Sequence, residues 1–393
     1  MPQLPRTAML VIHGIGEQNP FETLDMFART LWDVLDPGPQ GTRVNGRHAL
    51  TVRNGWTEHY LTLVRADTGE PVVDLHEYYW AYQMEEQIAF PELVDWLLKA
   101  SDGARKYYAE NEELRQKYEA RGRKVQPRWY LRHVGWALRG LGFLRSLGVA
   151  AIPYLDWLIR GLMQPATRLV VDYVGDVAIY TTMDVKSKRY QIRSRILAES
   201  VKLLKGLLEE YDRIVVVGHS LGSVIAFDTL NLVNLAMNTG AIPPEQRARI
   251  VGLVTFGSPL DKIAFFFREH TPDDQSLRRQ ILAHLHGFKG RDLDFRQPAR
   301  VVANPITTYL EHVRWLNFWD LEDPVSGHLD FYDIPDADNV RYDMHKPWGV
   351  AHLGYWTYRP MYERIAHEFL PACGDLDEEQ TRERPRGPLR AGS

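Results

Sequence analysis

The sequence predicts an α/β fold, a mostly parallel, doubly wound sheet with helices on both faces, and three observations predict it. Apolar runs such as Ala8–Ile12, Arg213–Val217 and Ile250–Phe256 lack the in–out alternation of a half-exposed strand, so they read as strands buried on both faces. Stretches with helical spacing separate these runs, as a sheet of parallel strands requires. The run at 213–217 also passes through Gly218-His219-Ser220-Leu221-Gly222 directly into an apolar helical segment.

The elements follow in order. Ala8–Ile12 is the first strand. Phe21, Leu24, Phe27, Leu31 and Leu35 then fall on one helical face, which Pro37-Gly38-Pro39 stops. Residues 50–82 suggest a hairpin and a following strand: Tyr60–Val64, a turn at Asp67-Thr68-Gly69, then Val72–Trp80. From 84 to about 190 helical patterns take over, first charged and then apolar, which reads as a helical insertion. Alternation resumes with a helix over about Arg193–Glu210, the strand at 213–217, a helix from Ser220 to about Met237 and the strand Ile250–Phe256. A strand at Arg314–Phe318 and a helix over about Thr357–Phe369 complete a catalytic domain of residues 1–373. Residues 374–393, rich in Arg, Glu, Pro and Gly, are expected to be disordered.

Composition removes several classes of function. The chain of 393 residues is 45% hydrophobic and 25% charged, ordinary for one globular domain carrying an insertion. A formal net charge of -4 gives no electrostatic reason to expect nucleic acid as a partner. The single cysteine, Cys373, cannot form an internal disulfide, and no Gly-rich turn or paired histidine marks it as a nucleophile. No His or Cys cluster, P-loop or dinucleotide turn occurs, so neither metal nor cofactor is expected. Neither a signal-peptide pattern nor a long uncharged apolar stretch is present, and a cytoplasmic protein is the expectation.

The segment at 218–222 carries the chemistry. A strand that turns this sharply into a helix strains the central residue, and it exposes the Ser220 hydroxyl beyond the sheet edge. Side chains at Gly218 and Gly222 would strike the adjoining strand and helix. The helix start offers unpaired N–H groups and a positive dipole end to a developing negative charge. Adjacent residues in such a turn point in different directions, so His219 is expected to be a packed, hydrogen-bonded neighbour and not the base.

A tetrahedral intermediate needs two preset donors. The backbone N–H of Leu221 is the first candidate. The second should come from His13-Gly14-Ile15-Gly16, after the first strand, where glycines let the backbone approach. With these two motifs the sequence resembles the α/β-hydrolase superfamily, specifically lipase- and esterase-like members with an HG-x-G loop and a GHSLG elbow. The resemblance assigns the second donor to the backbone of Ile15, and His13, Gly14 and Gly16 to its support. It also implies a sheet that begins at the superfamily's third strand.

The superfamily order is serine, acid, histidine. Asp323 is the chosen acid, because Asp323-Pro324-Val325 at a strand-end turn resembles lipase acid loops; Asp320 and then Asp261 are its rivals. Four histidines follow: His328, His345, His352 and His367. Position alone leaves His345 and His352 both open. The resemblance places the base at His352, in a Gly-flanked loop before the last helix.

Residues 134–180 carry leucines at helical spacing with scattered arginines. They read as packed cap helices, or as a lid that opens at lipid. The charged stretch before them reads as a solvated face, with an anionic-lipid surface the alternative. The expected activity is hydrolysis of a small-molecule or lipid ester through Ser220, His352 and Asp323, with peripheral membrane contact through the cap. The alternatives are a non-catalytic scaffold or membrane-surface binding protein of the same fold, and an acyltransferase.

Overall fold

Eight strands form one sheet in the order β2-β3-β4-β1-β5-β6-β7-β8. They are β1 (Thr7–Ile12), β2 (Val44–Arg53), β3 (Trp56–Arg65), β4 (Pro71–Tyr78), β5 (Arg213–His219), β6 (Ile250–Phe256), β7 (Arg314–Asp320) and β8 (Asn339–Tyr342). This computed structural model describes residues 5–14, 19–36, 43–53, 56–83, 188–261, 263, 275–290, 300–323, 325–347 and 350–370. Ile15 and Gly16, nearly all of the 84–190 insertion, Cys373 and the 374–393 tail lie outside the described residues.

The unbroken apolar runs have a direct explanation. Along β1, Ala8, Leu10 and Ile12 enter the core on one face, while Met9 and Val11 enter the core on the other. Ile214 and Val216 of β5 divide from Val215 and Val217 in the same way. Period-2 alternation is present, but both faces are dry, so it leaves no polar trace in the sequence.

Helices α2 (Lys188–Glu210) and α3 (Leu221–Asn238) cover the first face. Helices α1 (Glu22–Leu35) and α6 (Arg359–Phe369) cover the second. A helix α4 (Ser276–Leu285) lies between β6 and β7, and a single turn α5 (Ala351–Gly354) precedes α6. Among the described residues no helix is long and apolar enough to cross a membrane.

Strands β4, β1, β5, β6, β7 and β8 are parallel neighbours, whereas β2 and β3 add on as an antiparallel edge. Strand β1 is therefore interior, and the edge beyond β4 is filled by strands that follow it in the chain. From β1 the chain crosses to the far edge at β2 and builds inward through β3 to β4. It then passes to β5 on the other side of β1 and builds outward through β6, β7 and β8. The carboxyl ends of β1 and β5 flank that reversal, the place where open α/β sheets bind ligands.

Several boundaries differ from the sequence reading. Strand β2 was not anticipated: its first half, Asn45-Gly46-Arg47-His48, is polar and exposed and has little strand character. Strand β8, only four residues long, and α4 were also not anticipated. Helix α2 begins at Lys188, five residues before the expected start and inside the range assigned to the insertion.

Candidate active site

Ser220 sits between β5 and α3 with φ 53° and ψ -128°, a left-handed backbone conformation that non-glycine residues rarely adopt. The elbow is held from several sides. Ser220 N–H donates to the Phe256 carbonyl on β6 at 3.1 Å, and Ser223 N–H donates to the Ser220 carbonyl at 3.0 Å. The Ser223 hydroxyl lies within 2.5 Å of that same carbonyl and 2.7 Å of Ser258 Oγ. A Cβ on Gly218 would meet the backbone of Gly222 and Ser223 at 2.5–2.7 Å, and one on Gly222 would run into the carbonyls of Ile12 and His13. The two glycines thus let α3 start directly against β5 and the end of β1.

His352, in α5, reaches the serine. Its Nε2 lies 2.9 Å from Ser220 Oγ, and its Nδ1 lies 3.0 Å from both oxygens of Asp323. A carboxylate only accepts, so Nδ1 carries the proton and Nε2 offers its lone pair to the serine hydroxyl. Ser220, His352 and Asp323 are 0%, 1% and 3% exposed, so this chain of bonds is shielded from water.

Asp323 is itself oriented. Oδ1 accepts the Val325 N–H at 2.8 Å, and Oδ2 accepts the Tyr355 hydroxyl at 3.0 Å. Tyr355 follows α5 immediately and is fully buried; burial first, and the Asp323 charge next, raise its pKa well above the usual phenol value. Since its hydrogen goes to the carboxylate, Ser326 Oγ at 3.1 Å is left to donate to it.

The rival acids are committed elsewhere. Asp320 accepts the N–H groups of Glu322 and Met344, both at 2.8 Å. Asp261 accepts those of Asp330 and Phe331 at 2.9 and 3.1 Å. Each clamps a loop. Of the other histidines, His328 pairs with Asp330 at 2.9 Å, His345 is exposed and pairs with Asp343 at 3.0 Å, and His367 is exposed on α6. Only His352 is brought to Ser220. It lies in a helical turn rather than the expected loop, because the Val350–Gly354 backbone is helical throughout.

The loop after β1 begins against Ser220. A Cβ on Gly14 would stand 2.7 Å from Ser220 Cβ. His13 anchors this start: its Nδ1–H donates to the Gly14 carbonyl at 2.6 Å, its Nε2 accepts the Trp80 N–H at 3.0 Å, and the indole Nε1–H donates to the His13 carbonyl at 3.0 Å. The two rings stack with centroids 4.9 Å apart. Burial lowers the His13 pKa to about 4, keeping the ring neutral. Leu221 is the first residue of α3, where N–H groups have no partner within the helix.

His219 is buried and packed beside Ser220, as the sequence reading expected. Its Nε2–H donates to the His352 carbonyl at 3.0 Å, and burial, with the His352 ring next, lowers its pKa to about 3. Sequence reasoning missed Tyr355 and Ser326, neither of which belongs to a local motif; the one available signal was that Tyr355 lies one helical turn after His352. Among the described residues no three His, Cys, Asp or Glu side chains gather as a metal-binding group.

Comparison with known proteins adds an independent line. Residues 163–270 match the family model described as lipase (class 3). That stretch includes α2, β5, the elbow, α3 and β6. Phospholipase A1-II 2 of Oryza sativa subsp. indica is 35% identical over 91 residues, which cover 22% of this chain and 22% of the rice protein's own length. No solved structure gives a significant match. The sheet order and the elbow are those of an α/β-hydrolase-type fold, and these similarities support a lipase- or serine-esterase-type family.

Proposed function

We propose that the protein hydrolyses carboxylic esters of lipid-like substrates, with Ser220 as nucleophile, His352 as general base and acid, and Asp323 as the group that orients it. The carrying observation is the buried, hydrogen-bonded sequence Ser220–His352–Asp323 beneath a serine in strained backbone. The lipid-like substrate class rests on the similarity to class 3 lipases and to a protein named as a phospholipase A1.

In this reading Ser220 Oγ attacks the acyl carbon while His352 Nε2 takes its proton. Asp323 keeps the imidazole in the Nδ1–H tautomer and stabilises the imidazolium. The Leu221 N–H, with the Ile15 N–H expected from the resemblance, receives the oxyanion; each such donor contributes roughly 10²–10³ in rate. His352 then protonates the departing alkoxide as the ester C–O bond breaks. Water attacks the acyl-enzyme by the same relay, releasing the acid and restoring the serine. Residues 1–373 form one catalytic domain in this reading, with 84–190 as the cap over it.

The test is turnover of p-nitrophenyl esters of increasing chain length and of a phospholipid, by wild type and Ser220→Ala. The expected result is hydrolysis favouring longer chains and a loss of about 10⁶-fold in the variant. Equal turnover by both proteins would overturn the assignment.

A further inference from the structure

Two consecutive residues hold the same histidine. Ser220 bonds to the His352 side chain at 2.9 Å, and His219 bonds to its main-chain carbonyl at 3.0 Å. The base is thus attached to the elbow at two points, one on its ring and one on its backbone.

The His219 ring is built in closely. A Cβ on Gly14 would come 3.1 Å from its Nδ1, and one on Gly257, at φ +62°, would come 3.1 Å from its Nε2 and from His352 Cε1. The rings of Trp356 and Phe256 pack at 4.8 and 5.1 Å. A carbonyl only accepts, so Nε2 holds the hydrogen and Nδ1 is left as a bare acceptor. That Nδ1 is buried and has no hydrogen-bond partner among the described residues. Packing alone therefore does not account for an imidazole here, since a phenyl ring would fill the same aromatic surroundings without an unmet acceptor. What the imidazole provides beyond its shape is one N–H, aimed at the main chain of the base.

We propose that His219 is a positioning residue: through its Nε2–H it fixes the backbone of His352 and so the distance from the imidazole to Ser220 Oγ. The proposal rests on the reading of Ser220 and His352 as nucleophile and base. A displacement near 1 Å at such a contact can cost about 10²-fold in rate, and α5, which carries the base, is only one turn long.

The experiment compares His219→Phe, His219→Gln and His219→Asn by ester turnover and by the second-order rate of labelling with a fluorophosphonate, each normalised to titrated active sites. Phe keeps a ring and removes the N–H. Gln places an amide N–H near the Nε2 position, and Asn falls short of it by one methylene. The expected result is a fall in kcat of about 10- to 100-fold for Phe and Asn, with KM nearly unchanged, labelling slowed in parallel, and Gln within a few-fold of wild type. Phe at the wild-type rate overturns the proposal. Should Phe fail to fold, the Gln–Asn contrast decides, and equal rates for those two overturn it. Wild type that is not labelled at Ser220 overturns instead the reading beneath it.

Discussion

Tyr355 donates its phenolic hydrogen to Asp323 Oδ2 across 3.0 Å, one helical turn after the histidine that the same carboxylate holds. One short segment thus supplies two of the groups that orient the acid. Tyr355→Phe leaves Asp323 with one donor fewer and removes the Ser326–Tyr355 hydrogen bond. A carboxylate with fewer donors is held less firmly in line with the His352 Nδ1–H. We expect kcat to fall by roughly 3- to 10-fold at unchanged KM and stability to drop by about 1–2 kcal/mol. Steady-state kinetics on both proteins, with urea melts, check this; an unchanged kcat would reduce Tyr355 to packing.

The three candidate acids separate by substitution. Asp323→Asn disturbs the tautomer of the base and should lower kcat by about 10⁴-fold with the fold intact. Asp320→Asn and Asp261→Asn each weaken a loop clamp, so they should lower the melting temperature while keeping activity within about 10-fold. A larger loss of turnover at Asp320 than at Asp323 contradicts the assignment.

Much of this site was legible in sequence because its parts are local. The elbow, the apolar strands and the Asp-Pro-Val turn are each consequences of short-range sterics or of burial on both faces. Other features were not legible, for reasons of the same kind. Strand β2 is an edge strand with exposed polar residues, so its partner rather than its composition makes it a strand. His345 and His352 both follow the acid candidates, and their position in the chain does not separate them. They differ in the fold: His345 sits at φ 52° in an exposed loop, whereas α5 carries His352 into the interior. The Tyr355–Asp323 bond joins residues 32 apart, and the His219–His352 bond residues 133 apart. No local pattern encodes either.

Acid stability follows from three buried neutral histidines. Burial lowers His13 to about 4, and His76 and His219 to about 3, from an ordinary 6.5. Below pH 6.5 the unfolded chain takes up protons at these sites and the folded chain does not, so stability declines as pH falls toward 3–4. Each contributes up to about 1.4 kcal/mol per pH unit in that window. The melting temperature should drop steeply between pH 6.5 and 4, and His219→Gln should flatten the slope. A flat profile over that range contradicts it.

Glycines at the elbow and elsewhere should differ sharply. Gly222→Ala drives a methyl into the carbonyls at the end of β1 and should cost at least about 3 kcal/mol or prevent folding. Gly240, at φ +74° with open space around it, should cost only about 1 kcal/mol on the same change. Denaturant midpoints for the two variants check the contrast, and similar losses would refute the close approach of α3 to β1.

The most direct measurement is the site of a covalent adduct. Treatment with a fluorophosphonate, followed by digestion and mass spectrometry, should find one modified residue, Ser220, with labelling abolished in Ser220→Ala and slowed by orders of magnitude in His352→Ala. An adduct on another residue, or ester turnover that persists unlabelled in the wild type, would contradict the account.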